Sequence, residues 1–126
     1  MNHQSEIVNR KSTRIALVRC EDYEPARVAA AVRRQFELLG GLEGFVKRGD
    51  TVLVKPNLIA PRSHRRSPAQ THPAVIVETV RLLKDCGARP FVADSPAWAN
   101  VAICARALEL TEPLGRLGVP IRELNS

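Results

Sequence analysis

The run Thr51-Val-Leu-Val-Lys-Pro56 constrains this chain more than any other feature. Its centre is apolar without alternation, which suits a strand buried on both faces, and the proline after it cannot donate to a ladder, so the strand ends there. Strands of this kind belong to parallel sheets, whose neighbours are joined by crossovers of a dozen or more residues. The chain supplies one directly. Thr71-His72-Pro73 reads as a helix start, with a hydroxyl at or beside the N-cap and proline at the first helical position. Val75, Ile76, Thr79, Val80, Leu82 and Leu83 then form a broad apolar stripe that closes at Cys86-Gly87, and Arg89 to Asp94 follows as another strand.

The same alternation extends in both directions. Arg14 to Cys20 is β-rich and reads as the first strand, and Val28, Ala31, Val32, Phe36 and Leu39 mark an amphipathic helix from Pro25 to a Gly40-Gly41 stop. Gly40-Gly41-x-x-Gly44 follows a helix instead of opening one, so it is a stop and not a phosphate loop. Residues 101–111 read as a third helix that Pro113 ends or kinks, and Val119 to Leu124 as a last strand placed at an edge by Pro120. The expected class is α/β: a mostly parallel sheet of about four strands with helices on both faces. Residues 1–13 form a polar tail, and 14–126 a single domain.

Composition narrows the function. The 126 residues, 44% apolar, suffice for one core, and no apolar run approaches the roughly 18 residues of a membrane span. The polar opening MNHQSEIVNRKST has no apolar leader region, so a cytoplasmic location without membrane insertion is expected. Cys20, Cys86 and Cys104 are widely separated and show no metal-ligand spacing, so neither a metal site nor an iron–sulfur cluster is expected in this chain. Cys20 and Cys104 lie in apolar stretches and read as small buried hydrophobes.

The net charge is +6, and the excess falls in residues 1–72, which carry 13 Lys/Arg against 7 Asp/Glu. From Thr51 to Val77 there is no acidic residue, whereas Lys55, Arg62, Arg65, Arg66, His64 and His72 lie within that stretch. It should attract anions. Nucleic acid is a weak alternative, because one Trp, one Tyr and three Phe leave few platforms for stacked bases. The G-x-G-x-x-G fingerprint and the G-x-x-x-x-G-K-[ST] loop are both absent, which argues against an ordinary dinucleotide-binding or P-loop domain.

In open parallel sheets ligands bind outside the carboxyl ends of the strands, and the polar residues of this chain collect at those ends. Lys55 ends one strand and Asp94 another. Lys55 can hold a phosphate or carboxylate or form a structural ion pair with Asp94, and the two roles are compatible. His72, at a helix mouth where backbone N–H groups favour anions, can serve as an acid or base or simply cap or flank the helix. Lys55, His72 and Asp94 are therefore the candidate catalytic residues, and Asn57, Thr71, Ser95 and Arg62 the candidate ligand-binding residues. Asn57 could instead make a local turn and Ser95 a loop contact; Trp98 could cover a ligand or plug the core.

The motifs Lys55-Pro56-Asn57, Thr71-His72-Pro73 and Asp94-Ser95-Pro96, in this order and spacing, resemble the prokaryotic domain of unknown function numbered 362. The resemblance runs from about residue 14 onward and looks like the front part of a longer family domain. Some family members carry ferredoxin-type cysteine clusters, so the resemblance implies an iron–sulfur or redox association for the family. This chain lacks those clusters, and its cofactor is left open.

The expected function is binding of an anionic small molecule, or contact with a redox partner, at the strand ends. The alternative is a non-catalytic or incomplete module that assembles with itself or a partner through its sheet edge. A sheet stopping at Val119–Leu124 would lack later strands, and Ile121 and Leu124 are then the expected contacts.

Overall fold

The computed structural model describes residues 13–63 and 68–124. The tail before residue 13, His64, Arg65 and Arg66 of the basic loop, and the last two residues lie outside the described part. Three parallel strands, β1 (Thr51–Val54), β2 (Arg89–Asp94) and β3 (Ile121–Glu123), lie side by side in chain order. Helix α1 (Pro25–Leu38) precedes β1, α2 (Pro73–Asp85) joins β1 to β2, and α3 (Val101–Ala107) with α4 (Thr111–Arg116) joins β2 to β3. The α/β class with a parallel sheet is as expected.

Alternation along the strands fixes which face is covered. Val54, Val92 and Ile121 are register partners and form one row across the sheet. That row packs against Ile76, Val77 and Val80 of α2, Val101, Cys104 and Ala105 of α3, and Leu114 of α4. A second cluster, Leu42, Leu83 and Ala88, joins the first at Val54. The opposite row carries Leu53 and Phe91, also register partners; Leu53 is 43% exposed, and the Arg122 guanidinium lies 4.7 Å from the centre of the Phe91 ring. So β1 is not buried on both faces. Of the two helical layers expected, one is present among the described residues, because successive right-handed crossovers in one direction place their helices on one side.

The segment Arg14–Cys20 forms no strand. It runs beside α1, with the Arg14 guanidinium donating to the Leu39 carbonyl, and it leaves Ile15 and Leu17 almost fully exposed. Its composition favours a pleated surface, but such preference acts only where neighbours offer packing. Cys20 is accordingly exposed, contrary to the expectation of burial, whereas Cys104 is fully buried.

All four helices close in the same way. The amide two residues past each C-cap bonds to the carbonyl five residues before it: Gly41 to Phe36, Ala88 to Leu83, Leu110 to Ala105 and Val119 to Leu114. This closure needs a left-handed residue just before that amide. Gly40, Gly87 and Gly118 supply it for three helices, and Glu109, at φ 59°, supplies it for α3. That left-handed turn splits the single helix expected over 101–111, and Pro113 falls in the first turn of α4, where proline is tolerated.

Candidate functional site

The register Val54↔Val92 brings the ends of β1 and β2 to one level, and the side chains just beyond them meet. Lys55 Nζ lies 2.8 Å from Asp94 Oδ1. Asp94 Oδ2 accepts the Leu58 N–H at 2.8 Å, and the carboxylate also accepts the Ser95 N–H. Burial of Asp94 by itself raises its pKa. The hydrogen bonds from Lys55, Leu58 and Ser95 and the charge of Lys55 outweigh that, so its pKa is held below the ordinary carboxyl value. The pair is asymmetric: the Asp94 side chain is 6% exposed and that of Lys55 is 56% exposed. An ammonium has three donors, and one engages Asp94. That leaves two donors on a half-exposed group.

The loop after Lys55 is built as a closed structure. Asn57 N–H donates to the Thr71 hydroxyl at 2.9 Å, Thr71 N–H donates to the Asn57 carbonyl at 3.1 Å, and Asn57 Nδ2 donates to the Ala69 carbonyl at 2.8 Å. Both residues therefore latch the loop, and Asn57 does so across its neck instead of through a local turn. Sequence reasoning passed over Gln70, which is buried. Its Oε1 accepts from the Ile59 and Ala60 amides, and its Nε2 donates to the Arg62 carbonyl at 3.0 Å. No periodicity marks a glutamine in a polar stretch as a buried strut.

His72 is the N-cap of α2, where its Nδ1 accepts the Ala74 N–H at 3.1 Å. The Tyr23 ring stacks on it at 3.7 Å with planes 4° apart. Thr71 stands beside this cap, as expected, and its hydroxyl serves the latch. Of the three candidate catalytic residues, the structure brings Lys55 and Asp94 into contact and gives His72 a capping position at the end of the same loop.

Trp98 does not plug the core. It is 78% exposed and lines a cavity of about 640 Å³ together with Ile59, Ala60, Pro61, Arg62 and Ala69. Ser95 is exposed, and its contact to Asp94 comes from its backbone. The three cysteines differ in setting, with Cys20 at the surface, Cys86 half-buried and Cys104 buried. Among the described residues no three His, Cys, Asp or Glu side chains gather as a metal-binding set, so they do not fit a cluster. No helix among them is long and apolar enough to cross a membrane.

Comparison with known proteins places the chain in a family. Residues 52–126 match the model of the domain of unknown function DUF362. The chain belongs to that family. It is 36% identical over 109 residues to a thylakoid-associated protein of Synechocystis sp. (strain ATCC 27184 / PCC 6803 / Kazusa), an alignment covering 86% of this chain and 34% of the relative. The chain thus spans about a third of that relative's length. No solved structure matches it.

Proposed function

We propose that this DUF362 chain binds an anionic small molecule at the carboxyl edge of its parallel sheet, with Lys55 as the anion-holding group. The carrying observation is the asymmetric pair. Asp94 is buried, neutralised and fixed by two backbone amides, so it positions Lys55, while the ammonium stays half-exposed with donors to spare. The surrounding sequence from Thr51 to Val77 contributes no opposing carboxylate. Thr71 and Asn57 latch the loop that follows Lys55, Ser95 anchors Asp94, and His72 provides an imidazole at the helix mouth. Arg62 lies farther along the loop, in the lining of the cavity beside Trp98.

Calorimetric titration with inorganic phosphate at low ionic strength tests this reading. Saturable heat that disappears in Lys55→Met supports it; the same heat in both proteins, or none in either, overturns it.

A second reading has its own observation. Leu53 is exposed on β1, Ile15 and Leu17 are exposed on the segment beside α1, and Ile121 and Leu124 are half-buried at the β3 edge, as in a module that completes its fold against a partner or a second copy. Mass in solution that rises with protein concentration supports it. We place the protein in the cytoplasm as a working location; the relative's thylakoid association makes fractionation between membrane and soluble pools the relevant check.

A further inference from the structure

The cavity beneath Trp98 has a form that anion binding at Lys55 does not explain. One wall is the backbone and side chains of Ile59, Ala60 and Pro61, held in place by buried Gln70 through both Ile59 and Ala60 amides and the Arg62 carbonyl. The other wall is the indole of Trp98, on the loop that follows β2. An indole left 78% exposed beside three apolar residues on a braced loop presents a flat apolar face to solvent. Among the described residues lining the cavity, Arg62 carries the one charge. A volume of about 640 Å³ lies within the usual range for small-ligand sites, which combine apolar walls with a few fixed polar groups.

We propose that this cavity binds a planar aromatic acid, its ring stacked on Trp98 and its carboxylate held by Arg62. A flat ring matches the indole face, and a guanidinium matches a carboxylate in a planar fork. Arg62 does not depend on Lys55, so the site stands separately from the anion position proposed above. Both open on loops that follow strand ends.

Trp98 is the one tryptophan, so its indole N–H gives a single, unambiguous NMR signal. Titration of 15N-labelled protein with 2-naphthoate should shift that signal saturably. Naphthalene-2-methanol, of similar shape without the charge, should bind at least tenfold more weakly. Arg62→Gln should weaken 2-naphthoate at least tenfold, and Trp98→Leu, followed by calorimetry, should weaken it as much; both residues are exposed, so neither change disturbs the core. Lys55→Met should leave 2-naphthoate binding unchanged. An indole signal unmoved at millimolar ligand overturns the proposal, as does equal affinity for the neutral analogue. Loss of binding in Lys55→Met but not in Arg62→Gln assigns the carboxylate to Lys55 and also overturns it. A shift that follows protein concentration in place of ligand means that Trp98 contacts a second copy, which contradicts the proposal as well.

Discussion

Asp94 accepts the amide of Leu58, a residue 36 positions earlier, at 2.8 Å, and so ties the end of β2 to the first residues of the loop that leaves β1. Leu58 is itself buried at 1% exposure, so its N–H has no access to water and depends on this carboxylate. The bond that organises the loop is thus the one that fixes the partner of Lys55.

Removal of that acceptor should be more costly than removal of the cation. Asp94→Ala leaves the buried Leu58 amide unsatisfied and is expected to lose about 2–3 kcal/mol in urea unfolding. Lys55→Met removes a half-exposed ammonium from a carboxylate that keeps two backbone donors, and should lose less than about 1 kcal/mol. A larger loss from Lys55→Met would mean that the pair is held by the cation.

The same carboxylate sets a pH dependence. Its folded pKa lies below the unfolded value, so its contribution to stability is complete above about pH 5 and declines as pH falls through the folded value. The stability difference between wild type and Asp94→Asn should therefore be constant from pH 5 to 7 and shrink below about pH 4. A difference that instead shrinks toward pH 7 contradicts the assignment.

Gln70 should behave as a strut. Gln70→Ala is expected to lose about 1–2 kcal/mol and to speed hydrogen exchange at the Ile59 and Ala60 amides, with α2 amides little changed. Unchanged exchange at those two amides would show that the loop is braced elsewhere.

Glu109 occupies a left-handed turn that glycine fills in the other three helix closures. Glu109→Gly should therefore stabilise the protein by about 1 kcal/mol in thermal or urea unfolding. A destabilised variant would mean that the side chain itself is needed there.

The elements differ in how far the sequence reveals them. Helix α2 announces itself by an apolar stripe between Pro73 and Gly87, and β1 and β2 by apolar runs bounded by Gly49, Pro56 and Gly87. The meeting of Lys55 with Asp94 is legible for the same reason: parallel strands of similar register deliver their last residues to one edge. Arg14–Cys20 misleads, because a β-rich segment becomes a strand only when an edge pairs with it, and here it lies along α1. The split between α3 and α4 is hidden because it rests on a glutamate in a conformation usually marked by glycine. Gln70 and the Tyr23–His72 stack are hidden because side-chain contacts across a loop leave no period in sequence.

The central claim, that Lys55 holds an anion while Asp94 positions it, is tested most directly at the Lys55 nitrogen. The chain has four lysines, so side-chain NMR of 15N-lysine-labelled protein at acidic to neutral pH and low temperature resolves them individually. With added inorganic phosphate at constant ionic strength, the Lys55 ammonium signal should shift to saturation while those of Lys47 and Lys84 stay in place. Equal, unsaturated drift of all the lysine signals would contradict the claim.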